Sequence, residues 1–457
     1  MKKVVLTLTV VCMATVAFAQ KANQEMKYRR SSLYTIMVPS DKLTGDAKTI
    51  VTNTFDTLAI PDKYNNHNLS VRHIDLTKID VTEDEIKAAE QLAGGQKKGL
   101  AGLAKKGLGF AKKTVSTSET AGMSGDEKIA KIIKFFEQNH IANKIIGKWF
   151  NESKTLNKEG SHFNIELIKE RGLFGASHED INMTKNTVKG TRAIIDAAEI
   201  DLIPRTFVMV TSYAYMSAEE IAAMSATAGA MVGGTIGGVT QLASAAAGAL
   251  LKGYFVTTTS YLFQLEWNDD IRSGFYDKYW KAKDTKAFDT DASYKLTYVG
   301  KTSCHAPATM KLTTKDEASA KLISRATARA TDKSIAQLQK KYDQFKTLTT
   351  LNISDDGETM YAYVGKKEGV KSGDKFEALE QILGEDGNIT YKKVGTVKVA
   401  KGKVWDNRYG AGEKLEGGAT DDDDDDKDSE SNLQYTIFDG KPSKALAEGG
   451  LWLRQLK

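Results

Sequence analysis

Cys304 and His305 are adjacent, and a cysteine beside a histidine could act as nucleophile and base. A thiol reacts as its thiolate, and an imidazole within reach can take the proton. Adjacent residues rarely aim their side chains at one another, and no third residue is marked to orient the histidine, so the pair does not read as catalytic. His67, His73, His140, His162 and His178 lack the spacing of a metal-ligand set. Asp421–Asp426 form a dense acidic run. An EF-hand loop needs spaced acids, a central glycine and a distal glutamate, and this run has none of that spacing. Its like charges repel, which predicts a solvated loop over 419–432. Asp423 to Lys427 reads DDDDK, similar to the enteropeptidase recognition sequence, and predicts a nick site. No Walker loop and no G-x-S-x-G elbow occurs. The residues therefore predict no enzyme, no cofactor and no metal.

Two segments stand out by physics rather than chemistry. The run 221–251 carries no charge and is built largely from Gly, Ala and Ser. Gly229, Gly233 and Gly237 recur every four residues, so on a helix they share one face, where a second helix can approach closely. As one helix the run would be about 46 Å long, against a hydrocarbon core of about 30 Å. A bent pair of helices turning near 233–238 fits better. Such a hairpin either packs on itself between two strands or contacts a bilayer, and composition alone leaves both open. The second segment, 99–113, sets Leu100, Leu103 and Phe110 on one side of a helical wheel. Lys98, Lys105, Lys106, Lys112 and Lys113 fall on the other, a pattern suited to anionic head groups. Its four glycines disfavour a helix and favour a flexible connection.

The elements around these segments follow from periodicity. Residues 1–19 read as a secretory leader: two lysines, an apolar run and Ala17-Phe18-Ala19, with cleavage after Ala19. Cys12 leaves with it, so Cys304 remains alone and no internal disulfide is expected. The formal charge of +5 falls to about +3 without Lys2 and Lys3, which gives nucleic-acid binding no global support. An N-terminal α/β region over 20–93 holds a strand near 33–38, a helix over 46–60 and a strand over 69–76. Thr82 and Glu85 form a capping box that starts a helix at 83–93. A Gly/Lys/Ser-rich connection covers 94–126. A central α+β domain covers 127–315, with helical periodicity over 127–150, further helices near 163–171 and 178–199, and strands at 205–216 and 253–267 flanking the insert 217–252. Neither 206–218 nor 253–265 contains a charge. A membrane-spanning hairpin is geometrically allowed there but would need oligomerisation to close a barrel, and a hairpin in a soluble sheet is the commoner arrangement. A long helix over 316–347 precedes a C-terminal unit, 348–457, read as a small β-barrel or sandwich.

The phrases RSSLYTIMV (30–38), IPDKYNNHNL (60–69), ELIKERGLFGAS (166–177), FQLEWND (263–269) and KKEGVKSGDKFEALE (366–380) together resemble a family of uncharacterised secreted proteins of Gram-negative gut and oral bacteria. EGVKSGDKFEAL, in which Gly373-Asp374 leads into a strand, is also similar to the C-terminal β-domain of flagellar-assembly-type periplasmic proteins. The resemblance implies export and carries no activity. The sequence thus predicts an exported α+β protein with a Gly/Ala-rich helical hairpin insert. Its expected role is non-enzymatic, structural or assembly-related, in the periplasm at the outer membrane. Its partners would be envelope proteins or further copies of itself, with membrane contact through 99–113 and 221–251 and without nucleic acid. The alternative is a soluble periplasmic ligand- or peptide-binding protein, its site between the α/β region and the C-terminal unit in a pocket lined by Trp149, Trp267 or Trp280.

Overall fold

A computed structural model describes residues 31–39, 45–59, 64–65, 67–104, 123–173, 199–217, 251–311, 316–346, 348–383, 389–408, 433–447 and 450–456. It combines helices and sheets in an α+β arrangement. The strands are β1 (Ser31–Val38), β2 (Tyr64–Asn65), β3 (Thr206–Ser217), β4 (Leu251–Leu265) and β5 (Leu296–Lys311), then β6 (Thr349–Thr350), β7 (Asn352–Ile353), β8 (Met360–Ala362), β9 (Lys375–Leu383), β10 (Ile389–Lys398), β11 (Thr436–Phe438) and β12 (Trp452–Gln455). The helices are α1 (Gly45–Thr57), α2 (Glu83–Ala104), α3 (Gly125–Gln138), α4 (Ile141–Trp149), α5 (Glu166–Leu173), α6 (Asp269–Lys278), α7 (Lys286–Asp289), α8 (Asp316–Lys341) and α9 (Lys444–Ala447).

The main sheet has the order β2-β1-β3-β4-β5. β1 pairs in parallel with both β2 and β3, and the β3–β4 and β4–β5 pairs are antiparallel. The N-terminal region and the central region therefore share one sheet. The sheet is covered on both faces, and the strand alternation says by what. Tyr34, Ile36, Val38, Val208, Val210 and Phe263 join one core with Ile129, Ile132 and Phe136 of α3 and Ile141, Ile145 and Trp149 of α4. Leu33, Phe207, Met209, Leu262 and Val299 face Ile335 and Leu338 of α8, together with Tyr342 and Phe345. α1 lies beside α8, with Val51 and Phe55 against Ile323 and Ala326. Arg72 clips α1 to the sheet, donating to the carbonyls of Phe55 (2.8 Å) and Thr35 (3.1 Å).

The capping box forms as the sequence predicts. The Thr82 N–H donates to Glu85 Oε2 at 2.6 Å and the Glu85 N–H to Thr82 Oγ1 at 3.3 Å. The helix it starts does not stop near 93. α2 continues to Ala104 through Gly94, Gly95, Gly99 and Gly102. Each glycine costs about 1 kcal/mol, but the Ala, Leu, Gln and Lys residues between them favour the helix. Ile86 and Ala93 also pack on the main core. The expected strand over 69–76 is a correction: only the bridge Met37–His73 forms before a 3-10 turn at 76–78. The periodic run 127–150 is two helices, α3 and α4, broken at His140, whose backbone is left-handed (φ 47°, ψ 46°). The acidic loop 419–432 and most of the expected 178–199 helix lie outside the described residues.

The C-terminal unit is two small sheets, β10-β9-β12-β6 and β11-β8-β7. The expected barrel does not close among the described residues. The sheets instead enclose one core of Met360, Ala362, Phe376, Ala378, Val397, Phe438 and Leu453. α8 joins it to the main sheet: Lys340 Nζ donates to the Gly369 carbonyl at 2.7 Å.

β5 is the edge strand, which explains how Pro307 is tolerated in it. At a register shift opposite Leu262 and Phe263, the Tyr342 hydroxyl enters the edge. It accepts from the Lys301 N–H (3.0 Å) and donates to the Lys301 carbonyl (3.1 Å). A Cβ on Gly300 would lie 2.1 Å from that oxygen. Gly300→Ala is therefore expected to destabilise the protein by on the order of 2 kcal/mol through overpacking. Tyr342→Phe, which only loses hydrogen bonds, should cost about 1 kcal/mol. Urea midpoints measure both, and a Gly300→Ala midpoint equal to wild type would refute the steric account.

Candidate functional site

Of the lysine and glycine contact residues singled out by the sequence, only Lys98 is among those described. Lys98 lies on the backbone of α2. Lys105, Lys106, Lys112 and Lys113 lie outside the described residues, between Ala104 and Met123, as do Gly229, Gly233 and Gly237, between Ser217 and Leu251. The uncharged segment, 221–251, lies between β3 and the start of β4. β3 and β4 stay in register to Ser217–Tyr254, and β4 and β5 to Leu251–Lys311. The membrane-spanning reading of this hairpin is corrected for its inner half. Val208 and Val210 are buried against the α3–α4 layer, and Phe207 and Met209 against α8, so neither face there meets lipid. Beyond Thr211 the strands turn to hydroxyl residues, with Thr259 Oγ1 and Ser303 Oγ bonded at 3.1 Å.

Cys304 is 2% exposed, between the sheet and α8. Its sulfur lies 2.8 Å from Thr258 Oγ1 and 3.1 Å from Ser334 Oγ. It is a packing residue, and no substrate reaches it in this arrangement. A Ser–His pair distant in sequence was not legible there: Ser32 Oγ and His67 Nε2 share a 2.9 Å hydrogen bond. Burial, then the charges of Arg171 and Lys148, push the His67 imidazole down to about 3. Those neighbours are cations where a triad needs an acid. The ring also packs against Trp149, at 4.8 Å between centroids. The pair therefore ties β1 to the 67–69 segment. His162 is the opposite case. Its nitrogens face the carbonyls of Ser153 (2.8 Å) and Lys283 (3.0 Å). Both must donate, and these hydrogen bonds hold its pKa above the ordinary value. No group of three or more metal-ligating side chains occurs among the described residues. No described helix is long and apolar enough to cross a membrane.

A cavity of about 430 Å3 opens between α2, α3, the start of α4 and the start of β5. Ile133, Phe136, Ala142 and Leu296 give it an apolar floor, and Leu92 stands at its side, 42% exposed. Tyr294 and Tyr298 line it while being only 6% and 4% exposed. Neither phenol oxygen has a hydrogen-bond partner among the described residues. Glu137, His140, Asn143, Asp291, Lys295 and Thr297 complete the wall. The tryptophans named for the alternative's pocket are not among the residues that line this cavity. Trp267 and Trp280 pack with Phe150, Phe163 and Phe275 in an aromatic cluster, and Trp149 donates to Thr206 Oγ1 at 2.8 Å. The cavity draws on four separate elements, so no local pattern in the sequence marked it. The chain matches no protein-family model and no curated protein sequence.

Between α8 and the C-terminal unit, where the alternative places its pocket, side chains pack against one another. Ala336 meets Gly369, where an added Cβ would lie at 3.1 Å. Asp332 is 3% exposed and neither carboxyl oxygen accepts a hydrogen bond. Lys367 Nζ approaches only to 3.8 Å. Burial pushes the Asp332 carboxyl up to about 7 from 3.8, against the pull of Lys367 and with a push from Glu368. A raised carboxyl keeps its proton in the folded state after the unfolded chain has released it. Stability is then lost as pH rises from about 4 to about 7, by up to about 4 kcal/mol at about 1.4 kcal/mol per pH unit. Asp332→Asn should accordingly melt higher than wild type at pH 8 and nearly level with it at pH 4. A melting difference independent of pH would overturn this assignment.

Proposed function

We propose that this chain is an exported, non-enzymatic structural or assembly protein of the periplasm that contacts the outer membrane through the segment 221–251 and the end of the main sheet from which it leaves. One observation carries the reading. β3, β4 and β5 run on in register to Ser217, Leu251 and Lys311, and the uncharged run leaves and re-enters the fold at that end. Lys252 and Lys311 take adjacent register positions there, where lysines can reach head groups while an uncharged neighbour enters the interface. The glycine repeat Gly229, Gly233 and Gly237 would form a helix–helix contact within a Gly/Ala-rich hairpin or between copies of the chain. Lys98, Lys105, Lys106, Lys112 and Lys113 would add contacts to anionic lipid. The leader-like 1–19 stretch and the resemblance to secreted proteins support export. The alternative, a soluble ligand-binding protein, draws its support from the cavity beneath α2.

The test is flotation with liposomes containing anionic lipid, using the mature chain and a variant in which a short Gly-Ser turn replaces 221–251. The mature chain should float and the variant stay at the bottom of the gradient while still melting cooperatively. Equal recovery at the bottom would mean that the segment is a hairpin packed on itself and would refute membrane contact.

A further inference from the structure

We propose that the cavity beneath α2 binds an amphiphilic carboxylate, with its apolar body on Ile133, Phe136 and Leu296 and its carboxylate held by the hydroxyls of Tyr294 and Tyr298. The inference is independent of membrane contact. It starts from the hydrogen-bond inventory of the wall. The Asp291 carboxylate is engaged: it accepts from the Tyr279 hydroxyl at 2.6 Å and from the Ser293 N–H at 2.8 Å. The Asn143 amide is engaged as a donor to the carbonyls of Phe288 (2.6 Å) and Asp291 (3.0 Å). What remains toward the cavity is mostly donors. Tyr294 and Tyr298 are buried residues on the cavity wall, and their hydroxyls make no hydrogen bond among the described residues. Lys295 adds an ammonium on the same wall. His140 precedes α4 in a left-handed conformation, and its side chain makes no capping bond. Non-glycine residues in that region are uncommon and gather at functional positions.

Donors over an apolar floor call for a ligand with an apolar body and an acceptor-rich end, and hydrogen bonds to a charged acceptor are the stronger kind. The volume falls within the range of about 300–1,000 Å3 usual for small-molecule sites. Two lining groups oppose an anion: Glu137, exposed at the rim, and the Asp291 carboxylate, which Tyr279 and Ser293 hold. The rim charge gives a test of sign, because removing Glu137's charge must tighten binding of a carboxylate and weaken binding of a cation.

The experiment is calorimetric titration of the full mature chain with decanoate, below its aggregation concentration, beside decanol and decyltrimethylammonium. Decanoate should bind saturably, with decanol weaker and the cation weakest. Tyr294→Phe with Tyr298→Phe should weaken decanoate about 10-fold or more through loss of two hydrogen bonds to a charged group. Glu137→Gln should tighten it about 2- to 3-fold, the size of a screened surface charge effect. Binding should persist in the variant lacking 221–251, which separates this site from membrane contact. Each tyrosine is also replaced singly, so that a folding defect in the double variant still leaves a reading, and Glu137→Gln lies at the surface. No saturable decanoate binding, equal binding of the cation, unchanged affinity in the tyrosine variants, or loss of binding on deletion of 221–251 would each overturn the proposal.

Discussion

Helix α8 has to satisfy two surfaces at once, and the rest of the molecule is arranged around that requirement. Toward the main sheet it presents hydroxyls as well as apolar groups. Thr327 bonds Tyr215 at 2.9 Å, Thr331 bonds Tyr213 at 2.6 Å, and Ser334 bonds Thr258 at 2.8 Å. Toward the C-terminal unit it presents Asp332, Ala336 and Lys340. Buried polar groups stabilise only when paired, so this row of hydroxyls fixes the register of the helix on the sheet more sharply than an apolar stripe would. The other face of α8 includes a carboxyl with no hydrogen bond. The interface to the C-terminal unit is thus the more weakly satisfied of the two.

The parts of this arrangement that were legible in the sequence are those encoded locally. The Thr82–Glu85 capping box, the periodicity of α3 and α4, the alternation of β3 and β4 and the length of α8 each lie within one stretch of chain. Parts that depend on distant partners were not legible. β5 contains Gly300 and Pro307, residues that argue against a strand until the Tyr342 hydroxyl and the edge position account for them. The strand expected over 69–76 is displaced because Tyr34 reaches across and bonds the Val71 carbonyl, holding that segment as an irregular neighbour of β1. The glycines of α2 suggested a break that the remaining helix formers and contacts with the core override.

The candidate site divides in the same way. The uncharged segment and the lysine-rich stretch are visible by composition, because a run without charge needs no partner to be noticed. The cavity is assembled from Leu92, Phe136, His140, Tyr294 and their neighbours, which adjoin only after α2, α3, α4 and β5 are in place. Tyr294 and Tyr298 carried no signal of their own. Phenols are common in cores, and only the absence of an acceptor among the described residues sets these apart.

The parallel pairing of β1 with β3, the middle strand of the main sheet, governs the order in which the molecule can form. β1 ends at Val38, and its neighbour β3 begins at Thr206, so the parallel pairing on which the sheet is built joins residues far apart in sequence. Non-local parallel pairing is slow to nucleate, because a long loop must close before any contact compensates for it. A chain delivered N-terminus first holds β1 without its main partner until the whole α2–α5 region has followed. The helices between them form from local contacts, so the sheet is completed after the layer that covers it.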